Sequence, residues 1–185
     1  PDFLEAENFV RVGYLSEKPL CRVNIVHLSS GSGLAFVRML RRRTIPAPFE
    51  LATCAHYLSL STASPVGCLG KVNPPLRGEH DIEALWAGVA DGSILTIGSD
   101  HVPRKRETKG PDIWRATAGF PGIATLLPVL ITEGWHRRGI SPERLAAVTS
   151  ANVAALYRIE RKGRMQVGDC TICTSVAADE LPVVD

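Results

Sequence analysis

The sequence predicts an α/β protein built on a parallel sheet, of the (β/α) barrel type, and three observations predict it. Short apolar runs alternate with helical stretches along the chain, the pattern of successive βαβ units. Run after run ends in a polar group: "NIVH" at His27, "TCAH" at His56, "KVN" at Asn73, and "TIGSDH" at Asp100 and His101. The turn "SSGSG" (29–33) fails the G-x-G-x-x-G spacing with which a doubly wound sheet holds phosphate. In a (β/α) barrel the C-terminal ends of the strands share one rim, where sites are built. Four such tips offering His, His, Asn and Asp would converge on a single cleft.

The elements follow in order. Residues 3–15 read as an amphipathic helix with Phe3, Phe9, Val10 and Leu15 among its apolar positions. "LCRVNIV" (20–26) is a strand, followed by the small-residue loop and a helix over 33–43 with Leu34, Val37 and Leu40 on one face. That helix ends in "RRR" (41–43), where positive charge suits the C-terminal dipole. "FELATCA" (49–55) is the second strand, and "CLGKV" (68–72) a short extended segment before "NPPLR", whose paired prolines exclude regular structure. "DIEALWAGVAD" (81–91) is a helix that Asp81 can cap, with Ile82, Leu85, Trp86 and Val89 as its apolar stripe. "SILTIG" (93–98) is a further buried strand. Residues 99–119 form a long charged loop, a length that in compact domains signals function or disorder. Helices follow around 122–135, from Ser141 with Pro142 at its first position, and near 149–157. The tail from 161 reads as β-like, so the chain divides into a partial barrel over 1–160 and the start of a β segment over 161–185.

Composition narrows the function classes. The chain has 185 residues, 45% hydrophobic and 22% charged, enough for one domain with a sizeable core. A net charge of +2 argues against a nucleic-acid or membrane-surface partner. No apolar stretch reaches the ~20 residues of a spanning helix. The five cysteines, Cys21, Cys54, Cys68, Cys170 and Cys173, are odd in number and scattered, which fits reduced thiols in the cytoplasm better than a disulfide framework. "CTIC" (170–173) has the spacing of a metal or redox pair but no second pair.

His27 and Asp100 are the strongest candidates for chemistry. Imidazole and carboxylate are the usual ligands of a catalytic zinc-type ion, which acidifies water and polarises a carbonyl. A carboxylate beside such an ion can also carry a proton to a leaving nitrogen. His56 would orient neighbours or line the pocket, or serve structure alone. Asn73, before two prolines, would pair with polar edges of a substrate, and His101 would orient Asp100. His80 and His136 lie among charged helix ends and read as solvated.

Several segments together resemble the cyclic amidohydrolases, the family of hydantoinase/dihydropyrimidinase, dihydroorotase and allantoinase. They are "IVHLSSGSG", "TCAHYLSLS", "KVNPPLR", "DIEALWAGVADGSILTIGSDHVP", "AGFPGIATLLPVLITEG", "ERLAAVTSANVAALY" and "KGRMQVGD", in the family's order and across nearly the whole chain. The resemblance implies the C-terminal part of a (β/α)₈ barrel, about strands 6–8, and the start of a small β-sandwich. It also implies a cytoplasmic homo-oligomer that opens a cyclic amide using two divalent ions, usually zinc, with metal-bound hydroxide attacking the ring carbonyl. His27 would be a metal ligand. Asp100 would bind metal and protonate the departing nitrogen. Asn73 and the backbone of Ala118 and Gly119 would touch the substrate.

The family's remaining ligands have no counterpart here: a His-x-His, a carboxylated lysine and a further histidine, all of which would precede residue 1. Ala124 stands where the family often has glutamate, and Val153 where it often has proline. With two ligands of six, the 185 residues alone are expected to be catalytically silent. The alternatives are a non-catalytic homologue that acts as an assembly scaffold and an unrelated α/β domain that binds phosphate through "SSGSG".

Overall fold

The computed structural model describes residues 3–17, 22–42 and 49–170. Its centre is a parallel sheet in the order β1 (Val23–Ile25), β2 (Phe49–Cys54), β3 (Thr96–Gly98). Val23 pairs with Phe49 and Ile25 with Leu51, and Ala52 pairs with Thr96 and Cys54 with Gly98. β2 lies between two strands and its residues are buried at five of six positions, which explains its run of apolar residues without alternation. β1 has no partner on its outer side among the described residues, and Val26 beyond it is exposed.

The crossovers are helical. α1 (Phe3–Glu17) packs on α2 (Gly31–Arg42), and α2 on α3 (Glu79–Asp91). Leu34 and Val37 of α2, Leu85, Trp86 and Val89 of α3, and Leu51 and Ile94 beside the sheet form the core. The Trp86 indole donates to Leu58 O at 2.8 Å, so the one polar atom of a buried ring is satisfied. A last helical layer consists of α4 (Leu126–Val129), which continues as a π-helix over Leu130–His136, then α5 (Pro142–Ala146), a π-turn over Ala147–Ala151, and α6 (Asn152–Leu156). Ser141 caps α5 by accepting the Arg144 N–H at 3.2 Å, with Pro142 at its first position as the sequence suggested. Among the described residues no helix is long and apolar enough to cross a membrane.

Three expectations change. "CLGKV" is not extended: Gly67–Gly70 form a 3₁₀ turn, and its chain direction is set by the loop it closes rather than by strand pairing. α1 buries Phe9 but exposes Phe3, Val10 and Leu15, so its apolar residues serve two faces and only one is covered. Asp81 is not the first residue of its helix. It is the third residue of α3, within the first turn, and caps the helix from there by accepting the Gly78 N–H at 3.1 Å. Residues 161–170 are turns, and the rest of the predicted β segment lies outside the described residues, as do Cys21 and Cys173.

Candidate active site

The site is built at the C-terminal ends of the three strands. β1 leads to His27, β2 to Cys54 and His56, and β3 to Asp100. His27 and Asp100 both hold left-handed backbone conformations, with φ of 45° and 44°. Such a conformation costs a non-glycine residue about 1–2 kcal/mol, and it recurs where a fold aims a side chain for function. Here it turns the chain at two of the three tips.

Hydrogen bonds lock the turn after His27. Leu28 N–H donates to Ala52 O at 2.9 Å, and Thr53 Oγ1 donates to Leu28 O at 2.7 Å, so this tip is stitched to β2 from both sides. Glu5 of α1 accepts from the backbone and the hydroxyl of Ser29 at 2.9 and 3.0 Å, and from the Ser30 hydroxyl. Asp81 accepts the Gly31 N–H at 2.8 Å, and Ser30 Oγ accepts the Gly33 N–H at 3.1 Å. The N–H groups of Ser29, Gly31 and Gly33 and the hydroxyls of Ser29 and Ser30 are therefore taken by this chain's own buried carboxylates and hydroxyl at the positive end of α2. A phosphate would have to displace them, which removes the basis for a phosphate loop.

The loops beyond β2 and β3 are tied to each other. Lys109 Nζ donates to Leu69 O and Lys71 O at 3.0 and 2.7 Å, and Lys71 Nζ donates to Ile113 O and Trp114 O at 2.7 and 3.1 Å. Tyr57 Oη donates to Pro74 O at 2.6 Å, fixing the loop that carries Asn73, whose side chain is exposed. Gly119 N–H donates to Lys71 O at 3.0 Å and the Ala118 carbonyl accepts from Arg104, so these backbone groups bind the loops together. The Asp100 segment is held in turn by close backbone approach. A Cβ on Gly122 would stand 2.3 Å from Ser99 O.

Burial sets the chemistry of the central groups. His56 is only 7% exposed, lies 4.2 Å from Tyr57 and 5.1 Å from Phe120 between ring centres, and neither ring nitrogen has a hydrogen-bond partner. Leaving a buried polar group unpaired costs about 1–3 kcal/mol. Burial, and then the neighbouring His27, push the His56 pKa down to about 4, so its imidazole is neutral at pH 7. Burial and Asp100 push the Cys54 thiol up to about 12. Ligand atoms of Cys54, His56 and Asp100 all lie within 4.8 Å of one another. His27 is half-buried and near enough to act on His56, but it stands outside that trio. His101 is exposed and its Nδ1 accepts the Ile123 N–H at 3.3 Å, which anchors the following loop. His80 pairs with Asp81 and His136 stacks on Trp135, both at the surface.

Cys54 was read in the sequence only as a reduced thiol inside a strand. Its i, i+2 spacing to His56 at the end of a strand is the signal that could have paired them on one face. Glu5 and Asp81 carry no such signal, because they act on the site through a loop 24 and 50 residues away.

A parallel sheet with histidine, histidine and aspartate at neighbouring strand ends makes this an α/β protein whose polar groups gather at the strands' C-terminal edge. No family model matches the chain. It is 39% identical to an allantoinase of Rubrobacter xylanophilus over 172 residues, which cover 91% of this chain and 37% of that protein. It is 43% identical to a dihydroorotase of Halobacterium salinarum over 122 residues, or 63% of this chain and 29% of that one. Among solved structures, the L-hydantoinase (dihydropyrimidinase) of Arthrobacter aurescens matches with a TM-score of 0.85 and 31% identity, over 98% of this chain and 43% of that one. The chain belongs to the cyclic amidohydrolase family. It spans less than half the length of these relatives.

Proposed function

We propose that the chain is the C-terminal part of a (β/α)₈ cyclic amide hydrolase, about strands 6–8, and that it supplies one side of a metal-dependent site for ring opening. The observation that carries this reading is the placement of His27, His56 and Asp100 at three adjacent parallel strand ends, with His56 and Asp100 donor atoms within 4.8 Å of each other and His27 near enough to act on His56. The outer edge of β1 supports the partial-barrel reading. A groove of about 570 Å³ runs along it between α1 and Pro74–Pro75, lined by apolar residues such as Leu4, Phe9, Val23 and Ile25. An open strand edge beside an apolar helix face is where a further βα unit would pair.

The donor set fits a divalent ion of the zinc class: imidazole and carboxylate at the tips, and buried imidazole nitrogens left without partners. His27 and Asp100 would hold the ion, which when bound acidifies water and polarises a carbonyl. Asp100, half-buried at the end of β3, would take the proton that the attacking water releases and pass it to the departing ring nitrogen. Asn73 offers an exposed amide donor and acceptor to the polar edge of the ring. The lysine-pinned loops keep that rim in register with Asp100. The substrate class is a cyclic amide or ureide, the chemistry shared by the relatives' names.

The test is ring-opening of allantoin, dihydroorotate, hydantoin and dihydrouracil by the full-length product that carries these residues, with Asp100→Asn and His27→Asn beside it. One substrate should turn over, and Asp100→Asn should cut kcat by about 100- to 10,000-fold. The isolated 185 residues should turn over none. A full-length protein that opens no ring, or an Asp100→Asn variant at the parent rate, overturns the reading.

A further inference from the structure

Cys54, His56 and Asp100 form a compact donor set, of which the reading above gives only Asp100 a ligand role. Cys54 is 3% exposed and His56 7% exposed, and both nitrogens of His56 lack a partner. Three different donor atoms, a sulfur, a nitrogen and an oxygen, lie within 4.8 Å of one another. Around a tetrahedral zinc-type ion, with bonds of 2.0–2.3 Å, ligand atoms stand about 3.3–3.8 Å apart. The trio therefore needs to close by about 1 Å, a distance side-chain rotation supplies.

The surroundings also suit an ion. Cys54 pairs in register with Gly98, and a Cβ placed on Gly98 would meet no atom within 4 Å. Open space thus adjoins the thiol on the neighbouring strand, and it leaves a fourth coordination position free. A thiolate and a carboxylate together neutralise a divalent ion, which is what a buried charge requires.

We propose that Cys54, His56 and Asp100 form a binding site of their own for a borderline or soft divalent cation of the zinc class, with one coordination position open beside Gly98. The site requires only residues of this chain and does not rest on hydrolase activity. It gives Asp100 two partners, Cys54 and His56, apart from His27, which stands outside the trio. A soft ion seated in the trio would hold the carboxylate that ring opening needs.

Cobalt(II) reads such a site directly, because a cobalt–thiolate bond gives an intense near-ultraviolet charge-transfer band. The experiment uses the 185-residue chain with Cys21, Cys68, Cys170 and Cys173 replaced by serine, so that Cys54 is the only thiol, titrated with cobalt(II) and followed by absorption and equilibrium dialysis. One bound ion with the band is expected. Cys54→Ser should abolish the band, and His56→Gln, which keeps the thiol, should weaken cobalt affinity about tenfold or more. No cobalt bound, or cobalt bound without the band, overturns the site, as does unchanged affinity in a folded His56→Gln chain. Cobalt bound without the band and lost in both His27→Asn and Asp100→Asn overturns it while leaving the hydrolase reading intact. Circular dichroism of each variant separates lost ligation from lost fold.

Discussion

Glu5, on the first helix, accepts the Ser29 N–H at 2.9 Å and the Ser29 hydroxyl at 3.0 Å. The carboxylate is 9% exposed and also takes the Ser30 hydroxyl, so one side chain from α1 closes the loop that follows His27. α1 is thereby part of the site's frame although it carries none of its chemistry.

Glu5→Gln keeps the shape and removes the charge that these donors face. Hydrogen bonds to charged groups contribute about 1.5–3 kcal/mol, so the variant should lose about 2 kcal/mol and melt roughly 4–8 °C lower. Thermal unfolding by circular dichroism measures it. An unchanged melting temperature would show that the Glu5 contacts contribute nothing to stability.

Gly122→Ala tests the seat of Asp100. The new Cβ would meet Ser99 O at 2.3 Å, and that oxygen belongs to backbone that cannot swing aside. Overpacking of this kind costs about 1–3 kcal/mol. Gly98→Ala, which enters open space, should change stability by about 0.5 kcal/mol or less. Urea unfolding of the two variants should separate them. Equal midpoints would refute the close approach.

Thiol reactivity should rank by burial. Cys170 is exposed, Cys68 is half-buried with its Sγ 3.0 Å from Pro111 O, and Cys54 is buried with its thiol pushed up to about 12. Alkylation needs the thiolate. Iodoacetamide at pH 8 on the native, metal-free chain should modify Cys170 before Cys68 and leave Cys54 unmodified until urea is added, as peptide mass spectrometry will read. Early modification of Cys54 would contradict its packing.

The sequence made the strand tips legible because a parallel strand ends abruptly where its apolar run meets a polar residue. His27, His56 and Asp100 stand at strand ends as expected, whereas Asn73 follows a turn and not a strand, and the three strands lie within their predicted ranges. What could not be read depends on contacts distant along the chain. Period alone gave α1 an amphipathic pattern, but Phe3, Val10 and Leu15 turn away from the face that Phe9 buries. "CLGKV" reads as extended because it is a short apolar run ending in valine, yet among the described residues no strand pairs with it and the chain turns at Gly67–Gly70. Cys54 looked like core because it is core; only the tertiary approach of Asp100 makes it a donor. His101 sits beside Asp100 in sequence, but its ring turns to the Ile123 N–H.

The buried His56 makes stability depend on pH in a definite direction. Its pKa is about 4 in the folded chain against 6.5 for the free side chain, because burial and then His27 disfavour the imidazolium. Between those values the unfolded chain holds a proton that the folded chain does not. Stability from this group is therefore complete above pH 6.5, falls as pH drops toward about 4, and levels off below it. The slope approaches 1.4 kcal/mol per pH unit, for a total of about 3 kcal/mol. Other groups titrate in the same range, so the comparison is with His56→Gln. Urea unfolding in the presence of a chelator at pH 7.5, 5.5 and 4.5 should show the parent losing stability faster than the variant. If the two curves run parallel, the imidazole is not desolvated as its burial requires.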